Sequence, residues 1–273
     1  MSNSSTLTCR ARPPRKSWAN NVTRRFDPIV LWQAAVGLLL LVCWEAVGDI
    51  SGGTWTSRPS LIAVKLAGWL QGSLYPHLAT TLTEVVVGVA FGVTLGALAG
   101  LLLGRAPIAA GVLRPIVVAF YSVPLVALAP LFIMFFGLDM LPKIVLVGIV
   151  VFFLLFFNTF AGATSVDQEL IAQIDLMGSN RREKFQKVVA PACSPWIIGG
   201  IKTAMPYALV AATTGEMLAA RRGLGFLLSD AASQFDMTSL YAVLFILMLL
   251  GLAISEVTAW AERHLLRWRH AQG

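Results

Sequence analysis

Four glutamates stand in or beside long apolar stretches of this chain: Glu45, Glu84, Glu216 and Glu256. A carboxylate at the centre of a hydrocarbon layer costs at least about 2.5–3.5 kcal/mol, so such groups face protein, water or the path of a polar solute. Glu45 and Glu84 lie near the ends of their stretches, where a side chain can reach the interface. Glu216 follows Thr213 and Thr214 in GIKTAMPYALVAATTGEML, a stretch that Pro206 also interrupts. It is the carboxylate best placed to line a cavity, whereas Glu256 fits helix packing equally well. Lys202 lies near the opposite end of the Glu216 stretch and can snorkel to the surface. A second polar interruption is Tyr121-Ser122 with Pro124 and Pro130 (FYSVPLVALAP). Its freed backbone carbonyls either line the same route or simply mark a kink.

Covalent chemistry has no comparable footing. His77, His264 and His270 lie outside the apolar stretches and no G-x-S-x-G occurs, so no nucleophile–base pair forms within them. Cys9, Cys43 and Cys193 are odd in number, widely spaced and without metal-ligand spacing. None of the six lysines directly follows a glycine, which excludes the phosphate-cradling G-x-x-x-x-G-K-[ST] loop. No catalytic, cofactor-binding or metal-ligating residue is expected, and the chain is not expected to be an enzyme.

The elements that must position these residues follow from composition. Of 273 residues, 57% are hydrophobic and 13% charged, with a mean hydropathy of +0.74. Soluble domains are about 45–50% apolar and about 25% charged, and disordered chains are poorer still in apolar residues. The balance calls for lipid. A bilayer core needs roughly 20 apolar residues per helix, and six stretches qualify, at about 29–48, 82–103, 115–136, 143–162, 197–219 and 240–261. Strand-like alternation is absent, so the fold class is all-α and polytopic. The first stretch reads as an uncleaved span, since no small-residue cleavage site follows it.

Charge then orients the chain. With the N-terminus inside, the inner segments carry 15 of the 21 Lys and Arg and the outer segments 5, counting Lys143 in an outer loop; Lys202 lies within a span. This is a positive-inside pattern, so the +7 charge is mainly a topology signal and no nucleic-acid partner is expected. Both termini are expected in the cytoplasm. On the outer face, 59–80 fits an interfacial helix, and 220–238 forms a second outer segment in which Gly223 and Gly225 break the chain.

The inner segment 164–196 is longer than a connector requires. Ser165 with Gln168 makes a capping-box pattern that starts a helix carrying Ile171, Ala172, Ile174 and Leu176. Gly178 stands where a left-handed cap belongs. Asn180 then caps a second helix containing Arg181, with Glu183 at its third position, and that helix stops before Pro191 and Pro195. A helix–glycine–helix elbow of this kind can transmit motion to a cytoplasmic partner, though an ordinary amphipathic connector would share the pattern.

Here the sequence resembles a known family, the membrane permeases of ABC importers, whose cytoplasmic signature runs EAA, three residues, Gly, nine residues, Ile-x-Leu-Pro. Gly178 holds the glycine place, Val188 the isoleucine and Pro191 the proline; the EAA triplet is replaced by Ala172-Gln173-Ile174, and the leucine by Ala190. The stretches SRPSLIAVKL, HLATTLTEVVVGVAFG, SVPLVALAPLFIMFFGL, FFNTFAGATSVDQEL, PACSPWIIGGIKTA and GEMLAARRGLGFLL are similar to the branch that imports nitrate, sulfonates, taurine and thiamine-precursor pyrimidines. The resemblance implies a type I importer permease in a bacterial inner membrane: a basic cytoplasmic segment 1–28, a six-span permease domain 29–262 containing the elbow, and a short basic cytoplasmic tail 263–273. It also implies a second permease copy, two ATPase subunits that hold ATP and Mg, and an extracytoplasmic solute-binding protein. The elbow would be the coupling helix.

Charge along the spans bears on the substrate. The spans hold four glutamates against Lys202, and a route for nitrate or a sulfonate would favour cationic groups. Family members similar to this chain at Glu84 are the pyrimidine-precursor ones, others often having Arg there. The reading leans to a thiamine-precursor-like pyrimidine or another heterocycle, with sulfonate, taurine or nitrate as alternatives. A stand-alone secondary transporter would need a coupling-ion site or inverted repeats, and no clear repeat relates 29–136 to 143–261.

Overall fold

Glycine recurs every fourth residue from Gly88 through Gly92, Gly96 and Gly100 to Gly104. Residues four apart share one face of a helix, so this register makes a flat stripe on which a second helix can lie. The computed structural model describes residues 28–50 and 56–265. Its helices are α1 (Pro28–Ile50), α2 (Pro59–Trp69), α3 (Tyr75–Gly104), α4 (Pro107–Tyr121), α5 (Ala129–Phe136), α6 (Leu141–Thr164), α7 (Gln168–Leu176), α8 (Arg181–Lys184), α9 (Ala190–Ala219), α10 (Leu224–Ser233) and α11 (Met237–Leu265). Two compact units meet at Cys43, so α1 up to that point belongs to the first unit and everything from Trp44 to the second. The expected N-terminal segment and most of the C-terminal tail lie outside the described residues.

Within the second unit the glycine stripe of α3 lies on α6. A Cβ at Gly96 would stand 2.5 Å from the Phe152 carbonyl oxygen, one at Gly100 2.6 Å from that of Phe156, and one at Gly104 2.5 Å from the Ala163 Cβ. Small residues let backbones approach this closely, which is how helices associate where lipid offers no hydrophobic contrast. Both helices advance four residues per contact and run in the same direction. α9 packs antiparallel to α6, with Gly200 against Leu155 and Asn158 and Gly215 against Lys143 and Leu146, and buries Ala204, Ala208, Ala211 and Ala212 in the core shared with α3. The buried core between them contains Val85, Leu146, Val147, Val151 and Leu155.

Among the described residues, α3, α6 and α11 are long and apolar enough to cross a bilayer, by length and composition alone. α1 and α9 occupy the first and fifth expected spans, with Lys202, Pro195 and Pro206 diluting the apolar character of α9. The expected span 115–136 is not one helix. It is divided into α4, a tight 3-10 turn at Leu125–Leu128 and α5. Pro124 and Pro130 each lack the amide that a continuous helix would need.

Three local expectations differ as well. α7 is capped by Asp167, whose carboxylate accepts from the Glu169 amide at 2.8 Å, while the Ser165 hydroxyl donates to the Gly162 carbonyl at 2.9 Å. The shorter Asp167 reach captures the second amide of the helix, leaving Ser165 in the last turn of α6. The second elbow helix does not stop before Pro191. A π turn over Phe185–Val189, closed by the Ala190 amide on the Phe185 carbonyl, leads directly into α9. The extra residue in that turn accommodates the proline's missing donor. Gly225 lies inside α10 rather than breaking the chain; Gly223 alone is left-handed, at φ 131°.

Candidate functional site

Two places concentrate the polar side chains of the second unit. The first is the end of the bundle where α3 and α6 begin and α9 finishes. Thr81 and Glu84 continue the glycine stripe of α3 backwards, Lys143 is the third residue of α6, and Glu216 lies in the last turn of α9. All four are buried, Glu84 completely and Lys143 to 4% exposure. The Lys143 Nζ lies 2.8 Å from the Glu84 Oε1. Glu216 Oε1 accepts from the Thr81 hydroxyl at 2.7 Å and its Oε2 accepts from the Gly225 amide at 2.6 Å. The Leu224 amide donates to the Thr81 hydroxyl at 2.9 Å, and the Gly223 amide lies 3.1 Å from the His77 Nδ1.

Gly223 is required by this arrangement, and Gly215 fits it closely. A Cβ on Gly223 would run into the Glu216 carboxylate, and one on Gly215 would stand 3.1 Å from the Lys143 Cγ. Burying a charge is tolerable when it is paired: Lys143 of α6 pairs with Glu84 of α3, and Glu216 of α9 accepts from Thr81 of α3 and from Gly225 in the first turn of α10. The cluster therefore ties four elements together. Lys143 is not an outer-loop cation, and the count of four glutamates against Lys202 gains a second interior lysine.

The remaining expected positions are spread more widely. Glu45 accepts from the Ser60 hydroxyl at 2.6 Å and the Ser60 amide at 3.1 Å, so it caps α2. Glu256 is exposed on α11, and Lys202 pairs with Glu262 at 2.7 Å. Thr213 and Thr214 return their hydroxyls to carbonyls of their own helix. Tyr121 ends α4 with its ring 5.7 Å from Phe153 and 5.2 Å from Phe157. Ser122 and Pro124 lie in the break, and Pro130 is the second residue of α5; all three are exposed.

The second place is the elbow at the opposite end. Gly178 adopts φ 78° with open space around it. Asn180 accepts from the Glu183 amide at 2.9 Å while Glu183 accepts from the Asn180 amide at 3.1 Å, a complete capping box. Lys184 pairs with Asp175 across the glycine. Val166, Val189 and Cys193 bury the root of the elbow against Ala163, with Val188 packed alongside. Leu176 and Met177 at its tip are 90% and 84% exposed. Ala172 and Arg181 are exposed and Pro191 is half-buried.

Sequence reasoning did not anticipate Lys143, Thr81, His77 or the Gly223–Gly225 turn as parts of one cluster. The glycine register carried the signal, since Glu84 precedes Gly88 by one helical turn.

Comparison with known proteins agrees with this architecture. Residues 92–268 match the family described as the binding-protein-dependent transport system inner membrane component. The chain is 30% identical over 236 residues to the formylaminopyrimidine transport permease protein ThiX of Halalkalibacterium halodurans, covering 86% of this chain and 94% of that one. It is 34% identical to the riboflavin transport system permease protein RibX of Chloroflexus aurantiacus, covering 90% and 92%. It is 28% identical to the putative aliphatic sulfonates transport permease protein SsuC of Bacillus subtilis, covering 86% and 88%. In fold it is similar to a chain of the inward-facing MetNI methionine ABC transporter, with a TM-score of 0.59 and 21% identity over 70% of this chain and 95% of that one.

Proposed function

The chain belongs to the family of binding-protein-dependent transport system inner membrane components, and we propose how it serves there. It is the membrane permease subunit of an ABC importer and not itself an enzyme. Our reading is that it pairs with a second copy of itself, receives solute from an extracytoplasmic binding protein and is driven by two cytoplasmic ATPase subunits holding ATP and Mg. Both termini face the cytoplasm in the inner membrane of a bacterium. The observation that carries this reading is the elbow: a left-handed Gly178 between two capped helices, an exposed Leu176–Met177 tip, and a buried root continuous with α9.

An elbow built this way transmits displacement. ATPase closure moves the tip, the buried root carries that motion into α9, and the two permease copies rock to open inward. Nucleotide shifts the equilibrium only by its differential affinity for the two states. The route passes the break between α4 and α5, where Ser122 and Pro124 lie outside the α-helices, flanked by Tyr121 and Pro130 at the two helix ends; membrane proteins tolerate such backbone when it lines a cavity. Thr213 and Thr214 lie on the same route, with Glu216 setting the end of α9.

The imported solute is a small heterocycle of the pyrimidine-precursor kind. Two of the relatives above carry heterocyclic substrates in their names, formylaminopyrimidine and riboflavin. Sulfonate is the second reading, favoured by the similarity to SsuC. The test is reconstitution into proteoliposomes with the neighbouring ATPase and binding protein. Formylaminopyrimidine uptake that needs ATP and exceeds taurine uptake is expected. ATP-driven taurine uptake without heterocycle uptake would install the second reading, and ATP-independent uptake by the chain alone would return a stand-alone transporter.

A further inference from the structure

A cavity of about 540 Å³ lies between the end of α3 and the elbow. Its cations are Arg105, Arg181 and Lys184, and its apolar lining includes Leu101, Leu102 and Phe185. No carboxylate lines it. Asp175 engages Lys184 from the side, whereas among the described residues neither Arg105 nor Arg181 has an ion-pair partner. Two guanidinium groups thus face one apolar-floored cleft with their charge unanswered, each able to hold a phosphate oxygen pair in a bidentate contact.

Depth decides what can answer them. Leu101 and Leu102 belong to the bilayer-length apolar helix α3, and Leu102 is 67% exposed. Arg105 is the first charged residue beyond that helix. The α3 side of the cleft, Leu101 and Leu102, therefore belongs to the apolar run that a bilayer takes up, and Arg105 stands just beyond that run, at the level where headgroups begin. An acidic protein segment would have to enter hydrocarbon to touch the floor, while a phospholipid presents phosphate and acyl chain at these two levels together. Basic pockets between membrane helices hold anionic headgroups for this reason. We propose that the Arg105–Arg181–Lys184 cleft is a binding site for one anionic phospholipid, whose phosphate lies between the two guanidinium groups and whose acyl chain lies on Leu101, Leu102 and Phe185. This lipid would brace the elbow against α3. The site stands apart from the substrate reading.

The test is native mass spectrometry of the full-length chain released from micelles containing equal phosphatidylglycerol and phosphatidylcholine. Wild type is expected to retain one phosphatidylglycerol in preference to phosphatidylcholine. Arg105→Gln/Arg181→Gln is expected to lower that retention by about thirtyfold, at roughly one phosphate attraction lost per guanidinium. Arg221→Gln/Arg222→Gln, at the opposite end, should leave it unchanged. Both pairs are exposed, so the variants should elute as wild type does in size exclusion. Equal retention of the two lipids, or a double variant that binds like wild type, would overturn the proposal. Displacement of the lipid by millimolar inorganic phosphate would show a free-anion site and overturn it too. Loss of the lipid whenever the ATPase subunits are bound would assign the cleft to that protein interface instead.

Discussion

Glu84 and Lys143 meet one helical turn before Gly88 and Val147, in the same parallel register that joins α3 to α6. The ion pair is 2.8 Å long, and a Cβ at Gly88 would stand 2.6 Å from Val147. Sterically, the glycine stripe permits close approach at several registers that differ by one turn. Only one of them places carboxylate on ammonium. A slip of one turn would set Glu84 against Val147 and leave Lys143 uncompensated in the interior. Buried polar groups are best attested in this registry role, and here the pair selects among packings that the glycines alone leave similar.

Lys143→Met is therefore expected to destabilise the protein by about 3–5 kcal/mol, since it strands the Glu84 charge in a buried site. Glu84→Gln/Lys143→Met should recover most of that loss. Thermal or denaturant unfolding of the detergent-solubilised chain measures both, and a single variant as stable as wild type would remove the pair from the fold's supports.

The Glu216 clamp holds the chain between α9 and α10 through Thr81 and Gly225. Glu216→Ala leaves the Gly225 amide without its acceptor, at about 1–3 kcal/mol for that buried donor, while the Thr81 hydroxyl keeps the His77 carbonyl as an acceptor at 3.2 Å. Arg221 and Arg222 are exposed in the turn so held. Limited trypsin digestion should cut there faster in Glu216→Ala than in wild type, with cleavage elsewhere unchanged. Equal rates at this turn would show that the clamp does not restrain it.

At Gly178 nothing would touch a Cβ, so the whole penalty of substitution is backbone. A β-branched residue at φ 78° costs on the order of 1–3 kcal/mol, whereas Asn tolerates the left-handed region. Gly178→Val should abolish ATP-driven uptake by the assembled complex while the chain still inserts, and Gly178→Asn should keep most of it. Undiminished uptake by the valine variant would sink the coupling role.

Asp236 links α10 to α11. Burial pushes its carboxyl up, but the Ser239 hydroxyl and amide together with Lys65 outweigh that and hold it below the usual carboxylate range. A group depressed in the folded state stabilises fully above its unfolded value and loses the contribution as pH falls through the folded one. Wild type should therefore melt above Asp236→Asn at neutral pH, with the gap closing once pH drops below about 4. A gap independent of pH would exclude the carboxylate as its source.

Much of this protein was legible before any packing was known. Runs of apolar residues placed the helices that became α1, α3, α6, α9 and α11. Gly178 and the Asn180–Glu183 box were readable because caps are made within one turn of chain. The same locality explains the errors. Ser165 and Asp167 are two residues apart and both can cap, so only the actual path out of α6 chose Asp167. Pro191 reads as a stop, yet a π turn absorbs it, because a single extra residue costs less there than unwinding the buried root around Val189 and Cys193.

Sequence by itself determined that the chain lives in lipid, how its helices are ordered and where its elbow bends, since each depends on side chains close along the chain. Tertiary structure alone decided that Lys143 is an interior partner of Glu84 and that Glu216 clamps the turn at Gly223–Gly225. It also decided that Arg105 faces Arg181 across a cleft. Those relationships depend on how helices far apart in sequence pack together: between α3 and α6 the glycines permit close approach and the Glu84–Lys143 pair selects the register, which only packing reveals.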